Sequence, residues 1–234
     1  VAVLTFTSYN FQRLVKLRFN ETPSSIRHLW INEHIVLLKI FTFLGTAISF
    51  LLAFYLLTFQ VVLFSIPMGI FVLFYAQVLS IFKGIRSVPI IKNLITALVW
   101  SYAVLVVPII LNYPLSSLLE VLYDFKIELF ALFLFIFGVS IPFDIRDVKQ
   151  DQGKIKTMVG IMGKTASKWL AFGCFVVSGF LAFELEWYTF QVSILLALVL
   201  LWYTHTQRSE WFFSLLWDGI LVCFGIGLFI ENLL

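Results

Sequence analysis

Hydrophobic positions in this chain run on for about twenty residues at a time, and short polar stretches separate the runs. The runs lie at about 34–58, 60–80, 94–112, 127–143, 168–186, 189–205 and 214–233. A helix that crosses a bilayer needs about 20 mostly apolar residues. None of the runs shows the alternation of a lipid-facing barrel strand, so helices are the spanning elements left. The pattern predicts an all-α polytopic transmembrane helix bundle with about seven complete spans. The opening stretch Val1-Ala-Val-Leu-Thr-Phe6, continuing to about residue 12, reads as the tail of an eighth. It has neither the basic start nor the cleavage site of a signal peptide, so one or two spans are expected upstream of it.

The connections refine this picture. Thr58-Phe-Gln60 and Glu186-Trp-Tyr-Thr189 are tight enough to fold neighbouring spans back as hairpins. Between 113 and 126, Leu115, Leu118, Leu119 and Leu122 predict an amphipathic helix lying on the membrane surface. No low-complexity segment, Gly-Ser linker or spaced GxxxG interrupts the rhythm, so residues 1–234 are read as a single transmembrane domain.

Composition agrees. The chain is 61% hydrophobic and 12% charged, with a mean hydropathy of +1.01, whereas soluble domains are about half apolar and about a quarter charged. Such a surface is satisfied by a lipid bilayer and not by water. A net charge of +3 gives no footing for nucleic acid, and none is expected as a partner. Cys174 and Cys223 fall inside apolar runs and read as small core residues. His28, His34 and His205 lack the spacing of a metal site.

Charge sets the orientation. If the spans alternate, every Lys and Arg except Lys126 falls on one side of the membrane. By the positive-inside rule that side is cytoplasmic, so the chain is expected to be a multi-pass integral membrane protein with its polar loops there. The opposite side carries Glu120, Asp124, Glu184 and Glu186, with Trp187 and Tyr188 as interface anchors.

Against this sparse background the run Asp144-Ile-Arg-Asp147-Val-Lys-Gln-Asp151 stands out. At i, i+3 and i+7, its three carboxylates share one face of a helix. Like charges so placed destabilise a helix, and a hard divalent cation resolves the conflict. Mg²⁺ takes one or two carboxylates and fills its octahedron with water and phosphate oxygens. The plainer reading is a solvated loop balanced by Arg146 and Lys149. Acids at the mouth of a membrane bundle, where charge is scarce, favour the functional reading.

Cations surround the run. Gly153, Lys154, Lys156, Thr157, Gly160, Gly163 and Lys164 follow it, and Lys83, Arg86 and Lys92 form a second basic segment on the same side. Taken alone, both segments are topology charge. Beside a metal they suit a phosphorylated ligand, since metal and cations share its negative charge. Asp218, about one turn inside the last run, either supports the site or pairs with a loop lysine near the rim.

These residues carry a resemblance. The D-x-x-D-x-x-x-D run, followed by G-x-x-K-T from Gly153 to Thr157, resembles the second aspartate-rich motif of the UbiA superfamily of intramembrane prenyltransferases. The stretch Tyr75…Ser80…Lys83…Arg86…Pro89…Lys92-Asn93 is similar to that family's Tyr-Ser…Lys/Arg…Pro…Lys segment. The family has nine spans, and its aspartate motifs follow spans two and six. If Val1–Phe11 ends span two, Asp144 follows span six, and the resemblance covers the whole chain.

The resemblance implies a Mg²⁺-dependent transfer of an isoprenoid chain from a polyprenyl diphosphate to an aromatic or lipid acceptor in an apolar cavity. It casts Asp144, Asp147 and Asp151 as metal-binding and catalytic residues. Lys83, Arg86, Lys92 and Lys156 would neutralise the diphosphate, Tyr75 would line the substrate site, and Asn10 would contact acceptor or diphosphate. The chain departs from the pattern at the family's first motif, N-D-x-x-D-x-x-x-D. Asn10 is present, but Phe11, Leu14 and Arg18 stand where aspartates are expected. Three outcomes follow. The second motif holds Mg²⁺ alone, or Arg13, Lys16 and Arg18 replace a metal by touching phosphate directly, or the ligand differs. The alternative function is a non-enzymatic protein of the same fold that binds or moves a lipid or isoprenoid.

Overall fold

A computed structural model describes Thr7, Asn10, Phe11 and Leu14 and residues 33–56, 58–75, 89–148 and 157–231. These fall into two compact units, Val1–Val78 and Leu79–Leu234. Among the described residues every regular element is helical and there is no strand.

In the first unit, Thr7, Asn10, Phe11 and Leu14 are helical, and α1 (Ile35–Leu56) and α2 (Phe59–Tyr75) follow. Two residues separate α1 from α2, at the place where the sequence predicts a tight connection. The hydroxyls of Thr42 and Thr46 donate to the carbonyls of Leu38 and Thr42, each at 2.7 Å. Back-bonding of this kind satisfies a hydroxyl where no water reaches it. The outward faces are strongly apolar, with Phe54 87% and Phe59 79% exposed. Exposed in water, such faces would forgo roughly 25 cal/mol for every Å². Against lipid tails they cost nothing.

The second unit holds α3 (Pro89–Ser101), a π-helical segment Tyr102–Val106, α4 (Val107–Asn112), α5 (Leu118–Asp124) and α6 (Lys126–Asp147). Then come α7 (Met158–Met162), α8 (Lys164–Glu184), α9 (Tyr188–Tyr203), a second π-helical segment Phe212–Trp217 and α10 (Asp218–Glu231). The first π segment runs up to Pro108. A proline has no N–H to give the carbonyl four residues back, and its ring crowds that carbonyl, so the ladder widens there. The stretch 113–126, where a surface helix is expected, holds the short helix α5.

Of the seven predicted spans, four belong to described helices long and apolar enough to cross a membrane: Ile35–Leu52, Ile90–Asn112, Lys126–Asp147 and Lys164–Glu184. The remaining runs, Phe59–Ile70, Tyr188–Tyr203 and Phe212–Gly227, form shorter apolar helices. All are consistent with a bilayer as solvent.

The centre of the second unit is α6, 56% of whose span is buried. It packs most extensively against α8 and α3. Lipid supplies no hydrophobic drive between helices, so close packing and buried hydrogen bonds must hold them. Gly138 lets α6 approach Phe175 of α8 so closely that an added Cβ would lie 2.7 Å from the ring. One helical stretch away, the Ser178 hydroxyl donates to the Ala131 carbonyl at 2.8 Å, tying α8 to α6. Around this seam phenylalanines interlock. Phe135 meets Phe190 edge-on at 4.9 Å, Phe190 meets Phe224 at 4.6 Å, and Phe175 stacks on Trp217 at 6.2 Å. This packing fixes the end of α6 on which the charged residues sit.

Candidate functional site

The acidic run begins inside α6. The helix does not stop at the last apolar residue but continues through Asp147, so Asp144 and Asp147 occupy its final turn. The basic segment likewise ends inside a helix, because Pro89 opens α3 and places Lys92 and Asn93 in its first turns. Pro is well suited to such a first position, where no N–H is needed. These two helix ends meet.

Asp144 lies where they meet, with 1% of its side chain exposed. Lys92 Nζ donates to its Oδ1 at 2.7 Å, and Asn93 Nδ2 donates to its Oδ2 at 2.9 Å. A buried carboxylate is tolerated only when paired and hydrogen-bonded, and this one is held on both oxygens. The amide oxygen of Asn93, Oδ1, is buried and has no hydrogen-bond partner among the described residues. An orphaned acceptor costs about 1–3 kcal/mol.

Asp147 is one turn on and more open, at 25% exposure. Arg146 grips it with two donors, Nε to Oδ1 at 2.6 Å and Nη2 to Oδ2 at 3.2 Å. The same guanidinium lies 3.6 Å from a Glu210 carboxylate oxygen, and 5.3 and 5.5 Å from the rings of Phe143 and Phe213. Asp218 also acts electrostatically on Arg146. Among the described residues at this helix end, Lys92 thus pairs with Asp144, and Arg146 interacts with Asp147, Glu210 and Asp218.

Other predicted residues fall elsewhere. Lys83, Arg86, Asp151 and Lys156 lie outside the described residues, as do Arg13, Lys16 and Arg18. Asn10, helical and buried, and Tyr75, the last residue of α2, belong to the first unit. Thr157, the final residue of the G-x-x-K-T stretch, has a local task. Its hydroxyl accepts from Gly160 N at 3.1 Å and caps α7. Gly163, at φ +80°, then turns the chain from α7 into α8 in a conformation that favours glycine.

Sequence reasoning did not single out Asn93 as a partner of Asp144, nor Glu210 as a partner of Arg146. A signal for the first was present: an amide next to a lysine, four residues past a proline, in a chain with few polar groups. Trp217 and Thr204 were also missed. The buried indole N–H donates to the Thr204 hydroxyl at 3.1 Å, locking the end of α9 to the helix that carries Asp218.

Asp144 and Asp147 present carboxylate oxygens at the end of α6, and Asn93 an amide oxygen in the first turns of α3, but both oxygens of each carboxylate already accept from Lys92, Asn93 or Arg146. Among the described residues no three carboxylate, thiol or imidazole groups converge on one point. Mg²⁺ commonly takes one or two carboxylates when phosphate and water fill its remaining positions, and here these carboxylates would first have to be released from their protein donors. No family model, curated protein or solved structure matches this chain.

Proposed function

We propose that the chain is a UbiA-like membrane prenyltransferase that takes an isoprenoid chain from a polyprenyl diphosphate and passes it to an apolar aromatic or lipid acceptor, with Mg²⁺. The observation that carries the reading is the meeting of the two segments on which the resemblance rests. Lys92 and Asn93, from the basic segment, hold Asp144, from the acidic run, across more than fifty residues of sequence. A chance likeness of two short motifs does not require that they touch.

Under this reading Asp144, Asp147 and Asp151 supply carboxylate oxygens for Mg²⁺, which when bound offsets the charge of the diphosphate. Lys92 has a double part. Without ligand it neutralises Asp144, and with ligand its ammonium turns to a diphosphate oxygen. Lys83, Arg86 and Lys156 extend the cationic surface, Tyr75 lines the substrate site, Asn10 contacts the acceptor or the diphosphate, and the polar end faces the cytoplasm. Arg146 positions Asp147 through its two-donor grip.

The test is turnover of a labelled geranylgeranyl or longer diphosphate by the purified chain in lipid nanodiscs, across a panel of aromatic and lipid acceptors. Activity should require Mg²⁺ and vanish in Asp147→Asn. Turnover that persists unchanged in that variant overturns the assignment.

A second reading is favoured by one observation: both Asp144 oxygens are already engaged by fixed donors, and the first motif holds Phe11 and Leu14 in place of carboxylates. A protein that binds the isoprenoid diphosphate without reacting has no need of a second metal. Mg²⁺-dependent binding of a non-hydrolysable analogue, with no turnover on any acceptor, supports this binder reading.

A further inference from the structure

A groove of about 310 Å³ opens between the first turns of α8 and the last turn of α9, floored by Ile145 of α6. Lys164, Lys168 and His205 lie at it together with Trp169, Phe172 and Trp202. Of these residues only Lys164 belongs to the cationic stretch after the acidic run, and none has a role in the proposed transfer; no described carboxylate forms an ion pair with either lysine.

The arrangement is layered. Lys164 and Lys168, at i and i+4, share a face of α8, and Phe172 follows on the same face one turn further into the span. Trp169 and Trp202 meet edge-to-face across the two helices at 6.2 Å, and Trp169 meets Phe172 at 5.5 Å. Both indoles remain more than half exposed. Indole rings settle at the head-group level of a bilayer, so this pair marks the depth of the interface. The lysines then lie at the level of lipid phosphates, and Phe172 at the top of the acyl region. Beyond it, Val176 and Phe180 leave an outward apolar track along α8.

The lysines are placed against the interest of the helix. Two like charges at i, i+4 repel, and cations in the first turns oppose the positive end of the helix dipole. Retention of positive charge on one side of the membrane asks for lysines but not for this pairing. An anion at the groove resolves both conflicts, since helix amides and ammonium groups then favour it together. Lys168 donates to the Trp202 carbonyl at a long 3.4 Å, which holds it at the groove.

We infer that this groove binds the head group of one acidic phospholipid, with its phosphate on Lys164, Lys168 and His205 and its acyl chain along Phe172. Basic pockets between membrane helices recognise lipid head groups in this way. A zwitterionic lipid brings its own ammonium, which offsets its phosphate and weakens the attraction. The inference rests on the bilayer placement of α8 and α9 and is independent of prenyl transfer.

The experiment uses the purified full chain in nonionic detergent, titrated with dioleoyl phosphatidylglycerol or dioleoyl phosphatidylcholine and read by native mass spectrometry. One phosphatidylglycerol should be retained in preference to phosphatidylcholine. Lys164→Gln with Lys168→Gln should weaken it by about 25-fold, about fivefold for each lysine, and leave phosphatidylcholine unchanged. Equal retention of the two lipids, or an unchanged preference in the double variant, overturns the inference. Displacement of the lipid by millimolar inorganic phosphate also overturns it, because the groove would then be a site for free anions. Should the double variant fail to fold, brominated lipids give the answer on the unmodified chain. Brominated phosphatidylglycerol should quench tryptophan fluorescence more than brominated phosphatidylcholine, and Trp202→Phe should remove part of the difference. Equal quenching by both lipids refutes the site.

Discussion

Lys92 reaches the Asp144 carboxylate at 2.7 Å across 52 positions of sequence, and only 1% of that side chain is exposed. Removing one partner of a buried pair leaves an uncompensated charge, which costs about 3–5 kcal/mol. Lys92 is itself 21% exposed, so Lys92→Met should destabilise the second unit by an amount near the lower end, about 3 kcal/mol. Replacing both residues, Lys92→Met with Asp144→Leu, removes the charge along with its partner and should restore most of the loss. Thermal unfolding in detergent of the two single variants and the double variant gives the coupling directly. A double variant as unstable as the sum of the singles would show that the pair does not act as a unit.

That pair also shows where the sequence was legible and where it was not. Apolar runs located the helices, but the predicted limits fall short at the charged end. The run at 127–143 stops before Asp144, whereas α6 continues to Asp147. The run at 94–112 starts after Asn93, whereas α3 starts at Pro89. Lys164 begins α8 four residues ahead of its run. The cause is common to all three. Hydropathy reads a charge as an exit into water, while here each charged turn remains helical because a neighbouring helix supplies its counter-charge or because it borders the interface. Pairing across helices is invisible to a one-dimensional pattern. The same holds for the phenylalanine core: 27 Phe are evident in the sequence, but not that Phe135, Phe190 and Phe224 are the ones that interlock.

The α6–α8 seam should be intolerant of added volume. A Cβ at Gly138 would lie 2.7 Å from Phe175 Cε1, and that ring is fully buried between Phe135 and Trp217, so it has nowhere to retreat. Gly138→Ala should therefore destabilise by about 1–3 kcal/mol, measured by unfolding in a denaturing detergent. Phe175→Leu, costly alone, should lose less in the Gly138→Ala background. Equal losses in both backgrounds would place the clash elsewhere.

Thr204 should matter through its hydroxyl. It accepts from the buried Trp217 indole at 3.1 Å and donates to the Leu200 carbonyl at 2.9 Å. Thr204→Val keeps the shape but strands the indole N–H, at a cost of about 1–3 kcal/mol. Thr204→Ser retains both bonds and should stay close to the parent protein. The melting temperatures of the two variants decide this, and a Ser variant as unstable as Val would assign the effect to packing.

The double part proposed for Lys92 makes opposite demands on two ligands. Lys92→Gln keeps an N–H donor for Asp144, so the fold should survive, but it removes the positive charge that competes with a metal for that carboxylate. Mg²⁺ should consequently half-saturate the variant at lower concentration than the parent protein. The diphosphate loses a charge-assisted hydrogen bond worth about 1.5–3 kcal/mol, so a non-hydrolysable analogue should bind at least about tenfold more weakly at saturating Mg²⁺. Calorimetric titration of each ligand separates the two effects. If both affinities fall together, Lys92 acts only by holding α3 to α6. If they move apart, the ion pair that closes the ligand-free site is the group that opens it.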